Sequence, residues 1–424
     1  MERDSHRRFR DIHGSRENLI SSVNDILEKA LVKVVEDNAP MSLRYITPHQ
    51  LSTGWLTDEH CSEYALTLPG ELPPGEEYIS VSYTWAHSQE IDASMPIPDY
   101  RIKDQATPDA PSRSINCPTM IFHRAWCFAR ARKIPYIWID QECIYQDNAE
   151  DKERHLQIMD KIYKRSKWTV AILSKQVPDA MLSALALHSH HDDQRTRVSC
   201  FEFDTDEHPS KPRFENWPDG VDISPLYNDF KKNSDKIMSS ILSDRWFTRA
   251  WTFQERLCAS ACVLLAPAGN KSDAAAQLPL DWIGNDVGFS FRTMCITTFF
   301  RPPAPSDNAD VHRLLLESFY YERDTSKSLV HWLLFRAMER CDNLICSDRL
   351  TIYANVCSFR YKLNSTILND IKYSYSTCLL ALVMANEVKD KLTIDSPKID
   401  PSNLNVDQNV EWYLGSKRAK QMSG

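Results

Sequence analysis

The sequence predicts an α/β protein: a mostly parallel sheet flanked by helices, carrying one long insertion and followed by a helical region. Three observations point there. Between residues 78 and 174, short runs rich in β-branched and aromatic residues alternate with amphipathic helical stretches, and β-α-β-α-β order builds a parallel sheet wrapped by helices. The run PYIWID (135–140) is apolar until it ends in an acid, as a strand buried on both faces with a polar C-terminal edge would be. Residues 175–243, rich in Asp, His, Pro and Ser, break that rhythm and read as an insertion of mostly loop structure.

Taken in order, residues 16–36 set Leu19, Ile20, Val23, Ile26, Leu27, Ala30, Leu31 and Val34 on one stripe of 3.6-residue period. That is an amphipathic helix, for packing or for contact with a second copy. The Pro/Gly-rich stretch LPGELPPGEE (68–77) separates it from the strand-like YISVSYTW (78–85). After a polar, Pro-rich connection, residues 119–133 read as a helix and 135–140 as a strand. A second helix follows, with Asn148 or Asp147 as its cap and acids in its first turn, turning Leu156, Met159, Ile162 and Tyr163 to the core. KWTVAILS (167–174) is another strand. Beyond the insertion, RWFTRAWTFQERL (245–257) reads as one helix whose core stripe holds Phe247, Ala250, Trp251, Gln254, Leu257, Cys258 and Ala261. CVLLA (262–266) is a further strand. From about residue 310 the pattern turns helical, in VHWLLFRAMERC, DRLTIYANVCSF and YSTCLLALVMANEVKDKL, and from Thr393 it is a polar tail. The expected organisation is an N-terminal helical extension and linker (1–77), a central domain (78–265) with the insertion 175–243, a mainly helical region (266–392) and the tail (393–424).

Composition narrows the function. Of 424 residues 42% are hydrophobic, and 11 Trp, 16 Tyr and 16 Phe suffice for a large core. A net charge of -8, with no basic run interleaved with aromatics, argues against nucleic-acid binding. With only 10 glycines and neither G-x-G-x-x-G nor G-K-[ST], a Walker-type NTPase or an ordinary dinucleotide oxidoreductase is not expected. The N-terminus lacks the apolar core of a secretory signal, and the run CLLALVMA is too short for a membrane span. The 12 cysteines form no C-x-x-C pair, which favours a reducing, cytoplasmic compartment.

The helix at 245–257 carries the chemistry. Glu255 lies one turn after Trp251, and an indole that dries a carboxyl raises its pKa. Alternatively, Glu255 pairs with Arg249 or Arg256 and only holds the helix. Ligands of open α/β sheets gather at the carboxyl ends of strands, where Ser82, Tyr83, Asp140 and Gln146 are expected to meet. Asp140 could equally hold the loop that follows it. Cys143 is either a nucleophile or a buried, inert thiol. The cluster His188, His190, His191, Asp192 and Asp193 matches no zinc spacing, so a solvated loop is expected and no metal.

Three ordered blocks, YISVSYTW, IWIDQECIYQD with IMDKIYKRS, and RWFTRAWTFQE, resemble the signature blocks of the fungal heterokaryon incompatibility (HET) domain, and DRLTIYANVCSF resembles a segment found downstream of it. Ala86 and Tyr145 depart from the family's usual Gly and Asn. The HET domain in turn resembles the TIR domain, which implies a TIR/flavodoxin-like fold. In NAD-cleaving TIR domains a Trp-x-x-x-Glu helix supplies the catalytic carboxylate, and Trp251 to Glu255 has that spacing. The resemblance implies Glu255 as catalytic residue, with Ser82, Tyr83, Trp85, Asp140, Gln146, Arg249, Trp251 and Gln254 about the substrate. It implies an effector of programmed cell death after non-self recognition, with NAD as substrate and no resident cofactor. Its alternative is a non-catalytic TIR-like module that self-associates and signals. A homo-oligomer and an unidentified non-self partner are the implied partners, and the extensions could hold the activity silent.

Overall fold

The computed structural model describes residues 7–34, 39–49, 62–85, 97–194, 240–268, 280–290, 345–369 and 373–392, with isolated positions between them. Two compact units result: residues 1–37 with 343–424, and residues 38–342.

The first part of the chain forms α1 (Phe9–His13), α2 (Arg16–Ala30) and β1 (Leu31–Lys33). Next come β2 (Ile46–Pro48), β3 (Glu63–Leu66), β4 (Tyr78–Ser82), β5 (Arg101–Asp104) and β6 (Arg113–Ser114). They are followed by α3 (Thr119–Arg132), β7 (Tyr136–Trp138), α4 (Asp140–Cys143), α5 (Ala149–Arg165), β8 (Trp168–Ile172) and α6 (Asp179–Gln194). Then α7 (Arg245–Thr248), α8 (Ala250–Cys258), β9 (Cys262–Pro267), β10 (Asp281–Ile283) and β11 (Asp286–Ser290) complete the larger unit. The last elements are α9 (Asp348–Val356), β12 (Tyr361–Leu363), α10 (Ser365–Leu368) and α11 (Tyr375–Leu392).

A mixed ten-stranded sheet, β10-β11-β9-β8-β4-β7-β2-β3-β5-β6, runs through the larger unit, so the expected α/β class holds. At its centre β7, β4, β8 and β9 are mutually parallel. Counted along the chain their spatial order is 2-1-3-4, the doubly wound order in which ligands sit beyond the carboxyl ends where the winding reverses. That point is the end of β4, at Ser82.

Alternation along β4 sorts its side chains. Ile79 and Val81, with Val170, Ile172, Val263 and Leu265, join Ile121, Phe122, Ala125 and Phe128 of α3 in the main core. Tyr78, Ser80 and Ser82 face the other way: Tyr78 Oη donates to Ile162 O of α5 at 2.6 Å, and Ser80 Oγ to Ser166 Oγ just beyond it at 2.9 Å. A second core joins Ala171, Leu173, Leu264 and Ala266 to Met181 and Leu185 of α6 and to Trp246 and Phe247 of α7. The β10–β11 hairpin turns through Gly284 at φ 60°, a conformation that favours glycine. Buried Arg124 of α3 reaches that hairpin: Nε donates to Asp286 at 2.8 Å, while its other nitrogens donate to Leu173 O and Leu265 O at 2.7 and 2.8 Å.

In the smaller unit β1 pairs antiparallel with β12, and α2 packs against α11. Asp4 accepts from Ser376 N at 3.0 Å in the first turn of α11, so the beginning of the chain caps a helix near its end.

The structure departs from the sequence reading in several elements. The helix expected over 16–36 stops at Ala30, because Leu31 takes up strand pairing with Leu363. Strands β2 and β3 precede residue 78, and β5 and β6 lie in the Pro-rich connection. Each has two to four residues, too few to show a period. Residues 179–194 of the supposed loop insertion are helical, and most of 195–239 lies outside the described residues. The helix expected over 245–257 is two helices, because Arg249 is extended (φ -85°, ψ 140°). Its neighbours are held by Asp342, whose N donates to Thr248 O at 2.7 Å and whose O accepts from Ala250 N at 3.1 Å. The region expected to be mainly helical also contains β10, β11 and β12. Most of VHWLLFRAMERC and all of 393–424 lie outside the described residues. No helix among the described residues is long and apolar enough to cross a membrane.

Candidate active site

The end of β4 supplies the first group. Ser82 is fully buried, and its Oγ donates to Glu255 Oε2 at 2.5 Å. Glu255 comes from α8 and is 7% exposed. Tyr163 of α5, held edge-on against the Trp138 ring at 5.7 Å, also hydrogen-bonds the Glu255 carboxyl and lies 3.3 Å from Val81 O. Burial pushes Glu255 up to about 8; Ser82 and Tyr163 oppose that rise, nearby Asp140 adds to it, and Arg249 weakly opposes it. Among the described residues Glu255 enters no ion pair, so the pairing alternative weighed from the sequence is not what holds it.

Trp246 completes this group. Its Nε1 donates to Ser82 Oγ at 2.7 Å from a buried position on α7. Asp244 fixes α7 as its N-cap, accepting from Trp246 N at 2.9 Å. The same carboxyl accepts from Ser174 N, Ser174 Oγ and Lys175 N at 2.7, 2.9 and 2.8 Å, tying α7 to the chain just past β8. Thr252 Oγ1 bonds the Trp246 and Arg249 carbonyls and locks the joint between α7 and α8. The sequence reading missed Trp246 and gave Tyr163 only a core role. Trp246 reaches the carboxyl through Ser82, an indole additional to Trp251, the one expected from helical spacing.

A second group adjoins the first. Asp140 opens α4 and is half-buried; its carboxylate accepts from Tyr83 Oη at 3.0 Å, Trp85 Nε1 at 2.8 Å and Gln141 N at 2.7 Å. Burial raises its pKa against those three donors and the Arg249 charge. Tyr83 Oη also lies 2.6 Å from Gln141 Oε1, a partner the sequence reading did not name. Trp85 is anchored by its nitrogen yet 47% exposed, so one edge is tethered while much of the ring is open to solvent.

The remaining expected residues divide. Gln146 Nε2 donates to Asp140 O at 3.0 Å and braces the turn after β7. Arg249, half-buried between α7 and α8, acts through its charge on both carboxyls. Trp251 is half-buried against the main core, and Gln254 is fully buried on α8. Cys143 is sealed in the core, and burial pushes its thiol up to about 12, which leaves no nucleophile at neutral pH. The side chains of His188, His190, His191, Asp192 and Asp193 lie outside the described residues, though their backbone continues α6. No set of three or more His, Cys, Asp or Glu side chains suited to a metal occurs among the described residues.

The two carboxyls act on one another electrostatically; Glu255 is served by the neutral donors Ser82 and Tyr163, and Asp140 has the Trp85 ring beside it. Residues 78–255 match the family model for heterokaryon incompatibility protein (HET). No curated protein and no solved structure matches the chain.

Proposed function

We propose that this chain, whose residues 78–255 match the heterokaryon incompatibility (HET) family model, takes part in heterokaryon incompatibility by cleaving the N-glycosidic bond of NAD, which depletes the dinucleotide and kills the cell. The observation that supports this most is the Glu255 carboxyl, buried beside the end of β4 where the winding of the sheet reverses.

The chemistry follows from charge. In the substrate-free protein burial keeps Glu255 largely protonated at neutral pH. The nicotinamide ring of NAD is a cation, and its approach favours the ionised carboxylate. As the bond from ribose C1′ to the ring nitrogen breaks, its electron pair passes to the ring and neutral nicotinamide leaves. Positive charge then develops on the ribose, and the Glu255 carboxylate stabilises it or holds the ribose hydroxyls. Water adds at C1′ and loses a proton. Tyr83, Trp85 and Trp251 offer ring faces to the planar groups, with Ser82, Asp140, Gln146, Arg249 and Gln254 about them.

Purified full-length chain incubated with NAD is expected to release nicotinamide, measured by chromatography. Glu255→Ala should lower the rate by about 10²–10³-fold. Undiminished release by the variant removes Glu255 from the chemistry.

The enclosure of Glu255 by Ser82 and Tyr163 favours a second reading, in which the carboxyl only fastens α8 to the sheet of a self-associating, non-catalytic module. Wild-type protein that leaves NAD intact, and whose self-association Glu255→Ala abolishes in sedimentation, is the outcome this reading requires.

A further inference from the structure

We propose that Trp246 is a positioning residue for Glu255, acting through Ser82 by dictating where the serine hydroxyl proton points. The inference deepens the reading of Glu255 as the functional carboxyl.

An indole N–H can only donate. With Trp246 Nε1 2.7 Å from Ser82 Oγ, the serine oxygen is the acceptor in that bond. The hydroxyl carries one proton, and its other partner is Glu255 Oε2 at 2.5 Å. Glu255 is the one acceptor for that proton among the described residues, so the serine donates to the carboxyl; accepting there as well would leave its own proton buried without a partner. Tyr163 is different. Its hydroxyl lies between Val81 O at 3.3 Å and Glu255. It can donate to the carbonyl while accepting the acid proton of Glu255, or swing its own proton onto the carboxylate. One fixed and one reversible partner let a buried carboxyl change protonation state without orphaning a polar group.

Trp246 is held for this task. The four hydrogen bonds accepted by Asp244 fix its backbone, and its ring packs edge-on against Phe247 at 5.0 Å in the second core. Ring packing alone does not need the nitrogen. Phe at the same position would fill most of that space and leave the serine proton undirected.

The test is an infrared titration of the protonated Glu255 carboxyl in the full chain, its C=O band identified by its loss in Glu255→Gln. Ser82→Ala removes a hydrogen bond that favours the ionised form, so the midpoint should rise by roughly one pH unit. Trp246→Phe should raise it by less. In the Ser82→Ala background, Trp246→Phe should add nothing, since its route is gone. The other groups facing Glu255 are Tyr163, Asp140 at the start of α4, Arg249 before α8 and Cys262 at the start of β9. All are unchanged in these variants.

An unmoved midpoint in Trp246→Phe, or the same shift with and without Ser82, overturns the proposal. Should Trp246→Phe not fold, the Trp246 indole N–H resonance in otherwise native protein replaces it. It is expected to move with pH at the Glu255 midpoint and to stop doing so in Ser82→Ala; a resonance indifferent to both is the contrary result. Neither measurement uses substrate, so a chain that leaves NAD intact refutes the proposed activity while the role of Trp246 is still decided by the titration.

Discussion

Ser82 Oγ and Glu255 Oε2 lie 2.5 Å apart although 173 residues separate them in the chain. The bond joins the central parallel strand to α8 and encloses a carboxyl that burial pushes up to about 8. If the ionised form does the work, nicotinamide release should increase with pH. In the free protein kcat/KM should climb about tenfold per pH unit below pH 8 and level off above it. A profile flat from pH 6 to pH 9 contradicts this role.

Asp140 adds a like charge that helps hold Glu255 high. Asp140→Asn removes that charge, so the limb of the same profile should move to lower pH, by roughly half a unit to one unit. Asn keeps one oxygen, enough for Tyr83 Oη and Gln141 N, and gives up the acceptor of the half-exposed Trp85, so the fold should survive while the Trp85 ring loses its tether, as near-ultraviolet circular dichroism would report.

Stability should carry the opposite pH signature. Folded Glu255 holds its proton to about pH 8, whereas in the unfolded chain it ionises near its ordinary value of 4.5. Between those values the folded state binds more protons, so this group's contribution falls as pH rises through the window and is constant above it. Glu255→Gln cannot ionise. Its melting temperature relative to wild type should rise by about 5 °C from pH 5 to pH 8. A constant difference across that range would mean Glu255 is not shifted.

Asp244→Ala strips the N-cap of α7 and leaves three backbone N–H groups, of Ser174, Lys175 and Trp246, without their acceptor. A loss of about 2–4 kcal/mol is expected in urea unfolding. Asp244→Asn keeps one oxygen acceptor and should lose less.

Arg124→Met leaves Asp286 as a buried, unpaired carboxylate and removes the donors to Leu173 O and Leu265 O. The cost should be about 3–5 kcal/mol. The same clamp bears on where the domain can be cut. A fragment limited to 78–255 lacks β9, the parallel partner of β8, and β2, the neighbour of β7, so two strands are left with open edges. It should aggregate on expression, while a soluble, cooperatively unfolding fragment would show these outer strands to be dispensable.

Legibility in the sequence followed signal length. The four central parallel strands were readable because each lies in an apolar run, as three-residue β7 does in PYIWID, and the helices at 119–132 and 149–165 because each is long enough for a period; the cap residue Asn148 indeed accepts from Asp151 N at 2.9 Å. Strands β2, β3, β5 and β6 were not, being two to four residues long and defined by their partners. The break at Arg249 was hidden for a related reason: its cause is the pairing with distant Asp342. At the site, residue type revealed Glu255, Ser82, Tyr83, Trp85 and Asp140, since acids and hydroxyls at strand ends stand out. Helical spacing then selected Trp251 as the indole for Glu255. Only three-dimensional proximity reveals that Trp246, on a separate short helix, reaches the strand that Glu255 also reaches.

The pairing of β1 with β12 and the capping of α11 by Asp4 have a consequence for biosynthesis. On the ribosome α2 emerges early but has to wait, one apolar face uncovered, until α11 leaves the exit tunnel. By then every strand of the ten-stranded sheet has been translated, and domains emerging first generally fold first. The unit bearing Glu255 can thus mature while the two termini are still strangers, and a nascent chain stalled before residue 343 would already contain the whole site.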